Sequence, residues 1–414
     1  MSGADILPRD ARERIDRFNA GREPERLALK YREMWKSPFS FFRGSAHLFW
    51  EDLATRKGVL PNSPLVWACG DLHLENFGSF QGNNGLAYFD LNDFDEAALA
   101  PAGWEVSRFE AGIYVAAPLL DLTRADANQL VMSFLGAYRD ALADGKPRWV
   151  ERSTATGMVR TLLQRVKRRK RVMLIKSRTE WRKGRLRLLI DGKHTLPATD
   201  AQRREVARWL GRFAKSQPEP KFFQILDVAR RVAGVGSLGL KRYVVLVRGD
   251  GRRGGGGGGG RDGHAILDAK QAPISSLARR EGMRQPPWKS EPDRVVAIQH
   301  RMQARAPALL GAIRIGRGGY VVRELQPSKD RLTLKDARGD VGRLHSVVAT
   351  MGRLTAWAQL RSSGRQGSAK IDDLIAFARD RQWRSVQRSL IAYGRSYEGQ
   401  VRHDYREFVN QSGL

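Results

Sequence analysis

Two short apolar runs between residues 64 and 96 each end in an acid-rich loop, and no other feature constrains the chain as much. Residues 64–69 read as a buried strand, Gly70 lets the backbone turn, and Asp71, His73, Glu75 and Asn76 fall in the loop beyond. Residues 86–89 read as the neighbouring strand, reached through the turn signal at 82–85, and deliver Asp90, Asp93, Asp95 and Glu96. Adjacent strand ends would then set these groups side by side. Phosphoryl transfer needs one carboxylate at the attacking hydroxyl and oxygen ligands for Mg²⁺ between the nucleotide phosphates. Asp71 would be the first carboxylate, Asn76 and Asp93 would hold metal, and Asp95 or Asp90 would hold a second ion. Asp and Asn also favour turns, so the competing reading is a loop they shape without chemistry. His73 fits a structural hydrogen bond better than a catalytic role.

Residues 70–76, Gly-Asp-Leu-His-Leu-Glu-Asn, resemble the catalytic loop of kinase-like phosphotransferases, particularly the aminoglycoside and choline kinase branch. Asp93-Phe94-Asp95-Glu96 resembles the metal motif that follows it there. The whole chain is also similar to an uncharacterised bacterial family placed in that superfamily. The resemblance implies a two-lobe, kinase-like α+β fold that uses ATP and Mg²⁺. Gly234, Gly236 and Gly239, with Ser237 between them, match G-x-G-x-x-G and run into a strand at 243–247. A Rossmann glycine turn would lead into a helix instead. Residues 265–270 end on Lys270, similar to the kinase third-strand Val-Ala-Ile-Lys. By that resemblance Lys270 would hold the α- and β-phosphates, and the backbone of Gly234, Gly236, Ser237 and Gly239 would cover them. Residues 249–263 read as a flexible glycine insertion in the hairpin between. A helix over 291–304 should supply a glutamate to orient the lysine, but it carries Gln299 and Gln303, with Glu291 at its edge and Glu281 before it. Residues 319–327 resemble the hinge that cups adenine, through main-chain groups around Glu324 and Gln326.

In such enzymes the glycine turn and lysine precede the catalytic loop; here they follow it. One cut and one rejoining account for this, so the resemblance implies a circular permutation. Residues 1–225 would form a helical part with the catalytic loop, 226–330 a β-rich nucleotide-binding part, and 331–414 helices completing the helical lobe. Residues 1–60 read as helices broken at Lys36-Ser37-Pro38, with Phe39, Phe41 and Phe42 packing a core and Arg43 needing an anionic partner or an exit to solvent. Residues 344–360 have the periodicity of a core helix, and 370–414 read as two more.

At 414 residues, 41% hydrophobic and 28% charged, the chain is long and apolar enough for a large core. A lone cysteine, Cys69, excludes an internal disulfide and a cysteine-based zinc site. No run approaches a membrane span or a signal-peptide core, which leads us to expect a cytoplasmic protein. The net charge of +29 attracts polyanions, whether nucleotide, acidic acceptor, nucleic acid or anionic lipid. The basic run over 165–187 has only Trp181 as an aromatic, so it reads as a solvated helical face before a nucleic-acid surface. Against the phosphotransferase stand two alternatives: a non-catalytic nucleotide- or nucleic-acid-binding module using that run, and transfer of an adenylyl group. Acceptor and oligomeric state are not legible.

Overall fold

Proline and short polar side chains set where the first helices begin. Helix α1 (Ala11–Asn19) starts behind Asp10, whose carboxylate accepts the Glu13 N–H, and α2 (Pro24–Trp35) opens on a proline with no N–H to leave unpaired. Ser37 caps α3 (Pro38–Gly44), and α4 (Ala46–Thr55) follows. Phe39, Phe41 and Phe42 are buried, as the sequence predicts. The computed structural model describes residues 8–56, 58–168, 171–249, 263–280, 283–326 and 332–412. Residues 250–262 of the glycine insertion and Glu281 lie outside these.

The acidic loops hang on two small sheets rather than one. Strand β1 (Leu65–Ala68) runs into the Asp71 loop, and β2 (Phe77–Gln81) forms a hairpin with β3 (Ala87–Leu91) across the turn at 82–85. The partner of β1 is β4 (Ala98–Pro101), so the two strand ends expected to be neighbours belong to different sheets. Phe77-Gly-Ser-Phe-Gln81 lacks period-two patterning, and glycine is depleted in strands, which hid β2. Gly78 is there for room: a Cβ on it would lie 3.0 Å from Asn92 Nδ2.

Helix α5 (Ala102–Ala116) is buried along almost its whole length, and α6 (Arg124–Asp144) is bounded by a Thr123–Asp126 capping box and a left-handed Gly145. After β5 (Val150–Glu151) come α7 (Gly157–Arg168) and α8 (Arg171–Arg178). The basic run is helical only this far. From there it forms the hairpin β6 (Thr179–Arg182) and β7 (Arg185–Leu188), and the expected helical face ends at Arg178. β8 (Thr195–Pro197) and α9 (Asp200–Lys215) precede the main sheet strands β9 (Ile225–Arg231), β10 (Arg242–Val247) and β11 (Ala265–Gln271). Then follow α10 (Glu291–Met302), β12 (Gly311–Ile315), β13 (Gly318–Glu324), α11 (Val341–Ser362), α12 (Ile371–Arg379) and α13 (Trp383–Ser412).

The fold is mixed α+β. Its six-stranded sheet, in the order β12-β13-β11-β10-β9-β8, is antiparallel throughout. One face packs Tyr243, Val245, Leu267 and Val322 on Val206, Trp209 and Leu210 of α9. The other face packs Val244, Leu246 and Ile266 on Leu186 and Leu188 of the β6–β7 hairpin. Residues before 226 thus cover both faces of this sheet. The largest apolar cluster unites the helices with β1 and β4. Among the described residues no helix is long and apolar enough to cross a membrane.

Helices α6 and α11 approach most closely at Gly352, where an added Cβ would lie 2.4 Å from the Phe134 carbonyl oxygen. Gly352→Ala should therefore lower the thermal unfolding midpoint. Overpacking costs about 1–3 kcal/mol, which outweighs the roughly 1 kcal/mol that alanine gains over glycine in a helix. A calorimetric scan showing a raised midpoint would contradict this close packing.

Candidate active site

Asp71 owes its position to a glycine. Gly70 has φ of +85°, and a Cβ there would lie 1.9 Å from the Glu96 carbonyl oxygen, so the two acidic loops touch only because no side chain intervenes. Buried Glu105 of α5 accepts the Cys69 and Gly70 N–H groups and holds the turn from below. Asp71 Oδ1 accepts from Arg108 Nε at 2.8 Å and lies 2.6 Å from its Nη2. Arg108 is fully buried on α5, its guanidinium 4.0 Å above the Phe42 ring, and also donates to the Phe42 carbonyl. Burial pushes the Asp71 carboxyl above its ordinary range, and Arg108 opposes that shift.

Asn76 pins the two loops together. Its Nδ2 donates to the Asp71 carbonyl at 2.9 Å and the Asp93 carbonyl at 3.3 Å, while Oδ1 accepts the Asp93 N–H at 2.8 Å. The oxygen expected to hold metal is thus engaged with the Asp93 backbone. His73 makes the structural hydrogen bond expected of it: Nδ1 accepts the Glu75 N–H at 3.0 Å, while Nε2 lies 3.4 Å from Arg43 Nε and 3.9 Å from Asp71 Oδ2. Burial, with Arg43 and Arg108 nearby, keeps the ring neutral. Arg43 finds the anionic partner it needs in Glu75.

The structure brings Lys270 to this cluster across 177 positions of sequence. Its Nζ lies 3.2 Å from Asp93 Oδ2 and also pairs with Asp95. The Asp93 side chain remains 52% exposed, Asp95 only 16%. Desolvation by the walls works to raise Asp93, but Lys270, Arg323 and Arg242 outweigh it and hold the carboxylate below its usual range. Burial and then the Asp93 charge push Asp95 up to about 6, against the pull of Lys270. No helix glutamate joins them: Glu291 pairs with Arg294, and Gln299 donates to Gln303, which donates to the Leu91 carbonyl. Arg294 instead fastens the acidic segment, donating to the carbonyls of Asp95 and Ala97. Asp90 lies apart, buried beside Arg361 at 3.5 Å.

The glycine turn closes over the cluster. Gly234 and Gly239 have φ of +78° and +92°. Arg22 donates to the carbonyls of Gly236 and Leu238, and buried Lys30 of α2 donates to Gly236 at 3.2 Å. Burial, then the nearby Arg22, lowers the Lys30 pKa well below the lysine range. A cavity of about 50 Å³ is lined by Asp71, Asp93, Asp95, Gly236, Ser237 and these cations. A second, of about 200 Å³, is lined by Val232, Gly234, Val244, Ile266 and Leu325. Ile266, Asp268 and Lys270 alternate along β11 and so share a face, which places this apolar cavity and the lysine on the same side of the sheet. At its edge the Glu324 N–H donates to Ala308 and the Leu325 N–H to Ile266, while Gln326 Nε2 is buried without a partner among the described residues.

Of the carboxylates that the sequence assigns to Mg²⁺, the structure brings Asp93 and Asp95 together beside Lys270. Among the described residues no group of three or more His, Cys, Asp and Glu side chains could hold a metal by itself. Two carboxylates suit an ion whose remaining ligands are phosphate oxygens and water. Arg108, Glu105, Arg22 and Lys30 were missed by sequence reasoning. The available signal was charge on otherwise apolar helix faces, as at Arg108 between Val106 and Phe109.

Two measurements probe this electrostatics. Arg108→Met leaves Asp71 facing an apolar wall and should destabilise the fold by roughly 3 kcal/mol, with part recovered in Arg108→Met/Asp71→Asn; equal losses in both would show that the pair is not what matters. Asp95 has a folded-state pKa raised above its unfolded value, so its ionisation opposes folding. That cost appears as pH rises from about 4 to about 6 and persists above. Asp95→Asn should therefore stabilise the protein at pH values above the raised pKa and do so much less near the unfolded value, read as unfolding midpoints across the pH range.

No curated protein and no solved structure matches this chain. A family model described as an uncharacterized protein conserved in bacteria (DUF2252) matches residues 22–411, and the chain belongs to that family.

Proposed function

We propose that this protein is an ATP- and Mg²⁺-dependent phosphotransferase with a circularly permuted, kinase-like two-lobe architecture. The observation that carries the reading is the meeting of Lys270 with Asp93 and Asp95 at a cavity that Asp71 and Gly236 also line. A lysine from an antiparallel sheet, acidic loops from elsewhere and a glycine turn above them are the parts phosphoryl transfer requires, since its catalysis is mostly positioning and charge neutralisation.

In this reading Asp71 orients the acceptor hydroxyl and takes its proton, helped by a carboxyl pKa already raised by burial. Asp93 and Asp95 hold Mg²⁺, which supplies positive charge to the phosphates. Lys270 exchanges its carboxylate partners for phosphate oxygens. The apolar cavity beside Ile266 and Leu325 receives the base, with Gln326 at its margin. At about 50 and 200 Å³ the two cavities fall short of the roughly 300–1,000 Å³ of ordinary ligand sites, so the glycine turn between them must lift. Arg22 and Lys30, which grip its carbonyls, are the contacts released when it does. The acceptor is a hydroxyl compound, and the cations beside Asp71 favour an acidic one.

Thermal unfolding with and without Mg²⁺-ATP tests this. Nucleotide at about a hundred times its Kd should stabilise the fold by roughly 2.7 kcal/mol. The shift should vanish in Asp93→Asn and in Lys270→Met but survive in Asp71→Asn, which loses transfer by about 10²–10⁴-fold. Label from γ-labelled, not α-labelled, ATP should reach the acceptor. Absence of any shift at saturating nucleotide would overturn the assignment.

A further inference from the structure

The β6–β7 hairpin carries a charge pattern that the proposed site does not use. Cross-strand register sets Arg182 opposite Arg185 and Glu180 opposite Arg187, so by strand alternation all four share one face. Like charges directly opposite each other in a hairpin repel, and a fold gains nothing locally from this pair. Lys183 at the tip has φ of +46° and Gly184 +69°, a turn in which Asn or Gly is the unstrained choice for the first position. The tip thus spends conformational energy to present a third cation.

These residues line a concavity of about 730 Å³ whose far wall is Arg203 of α9 and whose floor is Asp227. Asp227 is consumed internally: it pairs with Arg203 at 2.7 Å, lies 3.6 Å from Arg187, and accepts the Leu188 N–H. Arg182 pairs with Glu180, while Lys183 and Arg185 are exposed with no acidic partner among the described residues. Trp181, 56% exposed, sits beside Arg182.

We propose that this groove binds the phosphate backbone of a nucleic acid. Arginine forks match phosphate geometry, and cations at every second position of a strand follow a chain of repeated anions. Trp181 and Leu186 alternate onto the other face of the hairpin, so the groove meets the phosphates rather than the bases. A bilayer surface would meet such cations on a flat or convex face, whereas these line a hollow. The hairpin packs on the sheet through Leu186 and Leu188, and none of the groove's charged residues lines either cavity of the proposed site, Leu188 alone being shared with the apolar one. The inference therefore stands whether or not the protein transfers phosphate.

The test is fluorescence anisotropy of the full chain with two labelled probes, a single-stranded RNA and a duplex DNA of about 20 nucleotides per strand, titrated at several salt concentrations. Binding to either probe should weaken with salt, with a log–log slope of about −2 to −4 for three to five phosphate contacts. In Arg182→Ser/Lys183→Gly/Arg185→Ser affinity should fall at least about tenfold and the slope should shrink by about 2. The charge-matched control Arg381→Ser/Arg384→Ser/Arg388→Ser, on exposed positions at and before the start of α13, should bind within about twofold of the parent. Unchanged unfolding midpoints establish that both variants fold. Equal losses in the two triple variants would show that net charge, not the groove, does the binding, and would overturn the proposal. So would absence of saturable binding to both probes, or binding confined to phosphatidylserine vesicles.

Discussion

The ammonium of Lys270 between the carboxylates of Asp93 and Asp95 is the interaction on which the arrangement turns. It joins the six-stranded sheet to the loop that runs from β3 of one small sheet to β4 of the other. Enclosed ion pairs contribute little net stability, because desolvation consumes most of the Coulomb attraction. Burial, and then the Asp93 charge, push Asp95 up to about 6 against the pull of Lys270. Arg242 and Arg323 add their positive charge to that of Lys270 at these two acids.

Around that pair the backbone is held from every side. Gly70 permits contact with Glu96, Glu105 takes the N–H groups below, Asn76 ties both loops, and Arg294 grips the carbonyls of Asp95 and Ala97. Most of these partners are buried polar or charged side chains spent on main-chain groups. A site fixed in this way does not reorganise when charge develops, which is the condition for electrostatic catalysis. The glycine turn is different. Two N-terminal cations hold its carbonyls, while Val235 packs against the main apolar cluster and Leu238 is buried.

What the sequence made legible were features written locally. Gly70, the strand ending on Lys270, the helix over 341–362 and the buried Phe39, Phe41 and Phe42 all follow from φ requirements or short-range periodicity. What it concealed depends on distant partners. Arg108 reads as a misplaced charge until Asp71 is brought beside it, and Lys30 until the glycine turn arrives from 206 positions away. Strand β2 was hidden because Gly78 answers the close approach of Asn92 rather than strand propensity. The basic hairpin was hidden because arginine is compatible with helix and strand alike, so charge alone gave no period. Asn76 shows a subtler limit: its residue type suited metal binding, but its position between two loops engages its oxygen with backbone.

The proposed permutation makes a physical demand on the fold. If the sheet, its lysine and helices α11 to α13 once preceded the segment running from α1 to the Asp71 loop, then α13 must lie against α1 for the two to have been joined without a long connection. Arg9, just before α1, pairs with both Asp404 of α13 and Asp52 of α4, and Arg12 of α1 lies 5.6 Å from the Phe408 ring centroid. The opposite cut would fall before β9, where residues 179–223 now pack on both faces of the sheet and supply the strand β8 at its edge. A chain opened there leaves the added hairpin and α9 free to cover the sheet. The cations of the basic groove, Arg182, Lys183, Arg185, Arg187 and Arg203, lie on this same stretch of chain.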